Sequence, residues 1–511
     1  MAESNLSQVS DLDEIVQLID ENYSSKNYEV VASLIEDNPA EAWYGIQPSQ
    51  FIEIIGTVID AGADQNGVLQ GMYSLIAPAS AQDSQLQKID PNISDKAAPP
   101  ETMLLFGESL ALRLSGRADL ALQSLDELDK RPSTVQPFFN TNTALELMIS
   151  VQSGITAMLA GEFRRALVYF TQAQLHVAVP TLKLLNRDAY VKAALVQVLF
   201  DDAEKARISL KHAASIPRTC SWAEALIDAN VTWVEAALEK DPDRAIETFL
   251  NVPLSDIGEL WPYYALILHQ VLSRSARWKE LDERLTTLEK VPFPKVDGEG
   301  FTGSVFSIIR AVMSRSNDDE KEVRWHLKNV DQSILLSRIF MAQMEFDAGR
   351  YKSAVTITRG LAEKVNGLRR LEVWRYAILV ESYLKLENTA AAIECLNAVL
   401  ELSGSIREDD LQFFSLDAHD FAREHVEGWF LGDVSDVARQ PGNRSNSSTQ
   451  LTDREREILR YLAKGESRQE IADQLYISVN TLKSHLRKIY TKFEVSSRDE
   501  AVIRAEREGL L

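Results

Sequence analysis

The sequence predicts an all-α protein, a helical-repeat solenoid followed by a small four-helix domain. Three observations carry this prediction. Between about residues 100 and 402 a small residue recurs, five positions after a turn signal and four before a bulky apolar residue. Over the last sixty-one residues, a hydroxyl residue precedes a glutamate by three positions at Thr452/Glu455, Ser467/Glu470 and Ser497/Glu500, each ahead of a helical pattern. Elsewhere apolar residues keep helical periodicity, and no alternation of strand and helix patterns is seen.

The first ninety residues read as helical. Asp11 to Ile19, Tyr28 to Ile35 and Phe51 to Ile59 are amphipathic, with a turn signal at Asn38-Pro39. Residues 78–100, PASAQDSQLQKIDPNISDKAAPP, are polar and bounded by prolines, which marks a loop or boundary between an N-terminal region (1–77) and a helical array.

The array is expected over 101–435. Gly116 leads to Ala121 and Leu125, and Gly161 leads to Ala166, Phe170 and Ala173. Asp201 leads to Ala206 and Leu210, and Lys240 to Ala245 and Phe249. Gly349 precedes Ala354, Ala392 precedes Leu396, and weaker copies fit around Leu281 and Val323. A small residue lets two helices approach closely, and the bulky one fills the groove to the next hairpin. This pattern resembles tetratricopeptide repeats, with Gly154, Ala166, Phe170 and Ala173 fitting best. The anchors are 38 to 40 residues apart where they are clearest, longer than that family's period, and a HEAT-like solenoid is the alternative.

Residues 436–450 form the next segment. Within them Ala438 to Gln450, ARQPGNRSNSSTQ, lacks apolar periodicity and reads as a flexible linker. The final domain, 451–511, has its helix starts marked by capping boxes at Thr452/Glu455, Ser467/Glu470 and Ser497/Glu500, with Ser478 a further cap after Tyr476-Ile477. The second and third helices are then joined by a tight turn, a helix-turn-helix. Projected on a helix, Leu482, Leu486, Ile489 and Phe493 form one stripe, and Asn480, Lys483, Ser484, Arg487 and Lys488 face the other way. Thr481 and Lys492 flank that polar side. A basic face is most often a solvated one. Preceded by a tight turn and capped neighbours, it also has what a major groove reads: Lys483, Ser484, Arg487 and Asn480 for base edges, with Ser467, Arg468, Thr481, Lys488 and Lys492 for phosphates.

These residues resemble the LuxR-type, or GerE-like, helix-turn-helix domain of bacterial transcription regulators. The matching pieces are Leu451-Thr452, Arg454-Glu455, Leu459, Gly465, Ser467, Glu470-Ile471-Ala472 and Leu475. They continue through Ile477-Ser478, Thr481, Lys483, His485, Ile489, Lys492, Val495, Arg498 and Ala501-Val502. The resemblance implies a four-helix domain that binds double-stranded DNA as a homodimer, with the third helix in the major groove. It places the dimer contact on the fourth helix, here Val502 and Ala505. Arg468, Leu482 and Phe493 stand where the family commonly has asparagine, valine and leucine. His485 lies at the edge of the apolar stripe and reads as a packing residue.

The charge is divided unevenly. Residues 451–511 hold 12 basic and 11 acidic residues, leaving 42 basic against 65 acidic in the rest. Duplex DNA repels the larger part, so the C-terminal domain is the expected contact. Two distant cysteines, Cys220 and Cys395, exclude a disulfide framework or zinc cluster. The N-terminus carries no secretory pattern and no apolar run is long enough to span a bilayer, so a cytoplasmic protein away from membranes is expected.

No G-x-x-x-x-G-K-[ST] loop occurs. The combination of domains resembles MalT-type regulators but lacks their nucleotide-binding domain, so neither enzymatic activity nor a cofactor is expected. His419, Asp420, Glu424 and His425 share a helix without the spacing of a metal site. The tryptophans at 222, 233, 261, 278, 325 and 374 are read first as packing residues, and second as a ligand site in a concave groove. The expected function is a DNA-binding transcription regulator whose array senses a protein or small-molecule effector. The alternative is a helical interaction scaffold that uses the C-terminal domain for docking.

Overall fold

The computed structural model describes residues 12–65, 67–73, 101–130, 143–177, 180–316, 319–402, 406–430, 451, 453–475, 477, 479–493, 495 and 497–507. The loop expected at 78–100 and the linker expected at 436–450 lie outside these residues. Among the described residues the regular structure is entirely helical. They divide into two compact units, one running to Ile406 and one from Arg407, with residues 316–318 grouped with the second.

The first unit opens with α1 (Leu12–Ser24), α2 (Tyr28–Asp37), α3 (Pro39–Gly45) and α4 (Pro48–Asp60). The Asn38-Pro39 signal is a helix start and not only a turn, with proline in the first turn of α3. Its missing N–H is one the first turn leaves unpaired anyway. These helices close a small core of their own around Ile19, Val31, Ile35, Phe51, Ile54 and Val58.

Among the described residues, eight hairpins come next. They pair α5 (Glu101–Leu114) with α6 (Ala118–Asp129), α7 (Thr143–Leu159) with α8 (Phe163–Leu175), and α9 (Lys183–Phe200) with α10 (Ala203–Ala214). The fourth and fifth pair α11 (Ala223–Leu238) with α12 (Pro242–Leu250), and α13 (Trp261–Arg274) with α14 (Trp278–Leu288). The last three pair α15 (Gly300–Ser316) with α16 (Glu320–Leu327), α17 (Leu335–Asp347) with α18 (Tyr351–Arg359), and α19 (Arg369–Lys385) with α20 (Thr389–Glu401). The anchors read from the sequence, Ala121, Ala166, Ala206, Ala245, Leu281, Val323, Ala354 and Ala392, are each the fourth residue of the second helix of a hairpin. All are buried. The need for a small residue is direct at Gly154, where an added Cβ would stand 2.4 Å from the Phe170 ring.

The hairpins also meet neighbours far along the chain. Thr302 donates to the Gly116 carbonyl at 3.2 Å, and Phe163 packs edge-on to Phe301. The Tyr263 hydroxyl donates to the Met158 carbonyl at 2.9 Å, and the backbone N–H of Arg370 donates to the Asp201 carbonyl at 3.0 Å. The N-terminal helices join through Trp222, whose indole N–H donates to the Trp43 carbonyl at 2.8 Å. Trp233 and Trp261 are buried, the latter stacked between Phe293 and Phe306. These four tryptophans hold packing positions, whereas Trp325 is exposed. No described helix is long and apolar enough to cross a membrane.

The second unit contains α21 (Leu416–His425), then α22 (Asp453–Ala463), α23 (Arg468–Gln474), α24 (Val479–Lys492) and α25 (Arg498–Arg507). His419 is fully buried, its Nδ1 accepting from the Trp429 indole at 3.2 Å and its Nε2 donating to the Leu411 carbonyl at 3.0 Å. Burial lowers its pKa. Both ring nitrogens are thus committed to the local fold, and no group of three metal-ligating side chains occurs among the described residues.

Candidate nucleic-acid interface

Helices α22 to α25 close a core made of Leu451, Ile458, Leu459, Leu462, Ile471, Ala472, Leu475, Leu482, Leu486, Ile489, Phe493, Ala501 and Ala505. Helix α23 starts as its residues dictate. The Ser467 hydroxyl accepts from the Glu470 backbone N–H at 3.3 Å, and the Glu470 carboxylate accepts from the Ser467 N–H at 2.7 Å. Those donors hold the Glu470 carboxyl below its ordinary range. At α25 the Ser497 hydroxyl accepts from the Glu500 N–H at 3.3 Å. The Thr452 and Ser478 caps lie outside the described residues.

The turn from α23 to α24 is fixed by two contacts. The Ile477 N–H donates to the Ala472 carbonyl at 3.0 Å, and Arg454 reaches across from α22 to donate to the Leu475 carbonyl at 2.6 Å. Two further arginines tie α25 down: Arg498 donates to the Leu462 carbonyl at 2.5 Å and Arg504 to the Phe493 carbonyl at 2.9 Å. These carbonyls lie at helix ends, where a cation is also favoured by the helix dipole. The sequence names Arg454 and Arg498 as part of a pattern but not this role, because nothing local marks which carbonyl a long side chain will reach.

Helix α24 is held by Leu482, Leu486 and Ile489, with Phe493 just beyond it, all buried, and His485 is buried beside them. The larger Leu482 and Phe493 are accommodated without exposure. Thr481, Lys483, Arg487 and Lys488 stand exposed on the other side, and so do Ser467 and Arg468 at the start of α23. One rigid helix therefore brings together Thr481, Lys483, Arg487 and Lys488. The side chains of Asn480, Ser484 and Lys492 lie outside the described residues. Val502 is half-buried in the domain core, and Ala505 is fully buried in it. Of the two residues expected at a dimer contact, Val502 thus keeps side-chain surface, while Ala505 is enclosed within the domain. An exposed apolar side chain on this helix is Ile503.

Residues 449–505 match the family model GerE, described as bacterial regulatory proteins of the luxR family. The transcriptional regulatory protein LiaR of Bacillus subtilis is 35% identical over 86 residues, covering 17% of this chain and 41% of LiaR. The response regulator protein VraR of Staphylococcus aureus is 48% identical over 61 residues, 12% of this chain and 29% of VraR. VraR of Staphylococcus epidermidis matches to the same extent. The chain thus spans less than half the length of these relatives. No solved structure matches it. The four-helix domain at residues 449–505 of this chain is a helix-turn-helix domain of the luxR family of bacterial regulatory proteins.

Proposed function

We propose that the chain is a transcription regulator that binds double-stranded DNA as a homodimer and takes an effector on its helical array. The observation that carries the DNA-binding reading is the face of α24, where Lys483, Arg487 and Lys488 are exposed opposite the buried stripe of Leu482, Leu486 and Ile489. A duplex groove accepts such a helix, its cations meeting guanine edges and phosphates. Asn480, Lys483, Ser484 and Arg487 are assigned to base edges, and Ser467, Arg468, Thr481, Lys488 and Lys492 to phosphates. A second copy is assigned to α25 through Val502 and its exposed neighbour Ile503. The relatives' printed names, a transcriptional regulatory protein and a response regulator, support the same reading.

The test is selection from a randomised duplex pool, followed by salt titration on the enriched site. Arg487→Ala is expected to cost about 1–3 kcal/mol on that site and far less on random DNA, whereas Lys492→Ala weakens both alike. Equal losses on both DNAs for both variants would overturn the division of roles. No binding at any salt would favour a protein-docking scaffold.

A further inference from the structure

We propose that the exposed side of the second and third hairpins, around Val168, Leu175 and Ile208, docks an acidic amphipathic helix of a partner protein. Helix α8 buries Ala166, Phe170 and Ala173. On its opposite side Arg164, Val168 and Leu175 follow one another at intervals of four and seven residues, in a single stripe. Packing asks for nothing apolar there, yet Val168 is 51% exposed and Leu175 79%. Val177, two residues past the helix, is 86% exposed, more than any other large apolar side chain among the described residues. On α10 Ile208 is 56% exposed, with Lys211 one turn further on. Helix α9 joins the two into one surface by touching both. The Gln174 amide of α8 donates to the Ala189 carbonyl at 3.3 Å, and the next residue, half-buried Tyr190, stacks on the His212 ring of α10 with centres 5.2 Å apart. Single exposed apolar side chains are ordinary, whereas several on one surface mark an interaction site.

The local charge sets the chemistry of the partner. Helix α8 carries two arginines and no acid, and α10 carries three cations against Glu204. In the same position of their hairpins, α6 carries four acids and α20 two, with no cation on either. Part of the positive charge is answered within the fold, Arg165 by Asp126, Lys205 by Asp201 and Arg207 by Glu204. Arg164 and Lys211 are exposed and have no ion pair among the described residues. A helix laid along this surface sets its apolar side against Val168, Leu175 and Ile208, and its flanking carboxylates complement the two free cations. A duplex has no use for exposed apolar side chains, and the 65 acidic residues against 42 basic outside the C-terminal domain repel it. Pairing this surface with its own copy would set cations against cations.

As the effector surface of a regulator this assignment rests on the function proposed above, but peptide binding is read without DNA, so the two fail separately. The full chain is titrated into a fluorescein-labelled peptide of about 18 residues with leucines at helical spacing and glutamates between them, reading anisotropy. Two control peptides have the same composition with the leucines scattered, or lysine in place of glutamate. The patterned acidic peptide is expected to bind at least about tenfold more tightly than either control, and more weakly as salt rises. Leu175→Glu and Ile208→Glu should each weaken it at least about tenfold, and Lys211→Glu about threefold. Leu254→Glu, at a similarly exposed leucine outside this surface, should leave binding unchanged. All four side chains are exposed, so the variants should unfold with the parent. Equal binding of either control peptide, unchanged binding in Leu175→Glu and Ile208→Glu, or an equal loss in Leu254→Glu overturns the surface. If those two variants instead lose duplex binding or self-association while no peptide binds, the assignment to an acidic helix is overturned in favour of nucleic acid or a second copy.

Discussion

Among the described residues, six hairpin turns place a residue of positive φ two positions before the second helix: Lys26, Gly116, Gly161, Ala276, Gly349 and Glu387. In each, the next N–H donates five residues back, as Arg117 does to the Leu112 carbonyl at 2.9 Å and Arg277 to the Leu272 carbonyl at 3.0 Å. This is the Schellman closure of a helix end, and it suits glycine best. The three glycines are not equivalent. A Cβ on Gly349 would meet nothing within 4 Å, whereas one on Gly116 would stand 2.3 Å from the backbone nitrogen of Lys295. Gly349→Ala should therefore cost about 1 kcal/mol, the left-handed penalty alone. Gly116→Ala should cost several times more, because backbone must move. Equal losses in chemical unfolding of the two variants would mean that the contact between the Gly116 turn and the Lys295 segment is not made in solution. The sequence marks the glycines as turns, but at Ala276 and Glu387 no residue type announces positive φ.

At the scale of the element, the repeated unit is a second helix whose fourth residue is buried against its partner. Where that residue is alanine the repeat was legible, because a small residue between a turn and a bulky one is a distinctive pattern. At Leu281 and Val323 it was faint, since a large apolar residue at helical spacing looks like any core position. Helix α3 was missed for a related reason: Asn38-Pro39 signals both a turn and a helix start, and only packing separates the two. In the C-terminal domain the capping boxes supplied the boundaries that the repeats lack. The anchors differ in size because each is matched to its own neighbours. Ala166→Leu should overpack its site by about 1–3 kcal/mol, and Leu281→Ala at the same helix position should leave a cavity worth about 2–5 kcal/mol. Both expectations rest on full burial of the two side chains. A neutral Ala166→Leu in thermal unfolding would show that the position tolerates size and that the alanines are not a packing requirement.

At the scale of the whole molecule, contacts such as Thr302 to Gly116 and Arg370 to Asp201 were not legible, because they depend on how far each hairpin rotates relative to the last. The charge division was legible from counting alone. Residues 451–511 are nearly neutral overall, with exposed cations on α24, while the remaining chain carries 65 acidic residues against 42 basic. Any DNA brought to α24 by this chain approaches with that acidic mass attached. Two like-charged bodies repel, and repulsion between solvated charges fades once the Debye length falls below their separation, from about 30 Å at 0.01 M salt to about 8 Å at 0.15 M. That repulsion lowers DNA affinity in the full chain. Residues 445–511, which contain the whole C-terminal core, should therefore bind a duplex roughly 10-fold or more tightly than the full chain at low salt. With dimerisation matched, the difference should close as salt rises, even though both affinities fall through counterion release. A gap that persists at high salt would point instead to a docked interface that holds the domain through apolar contact. No gap at any salt would mean that the acidic array has no bearing on DNA binding.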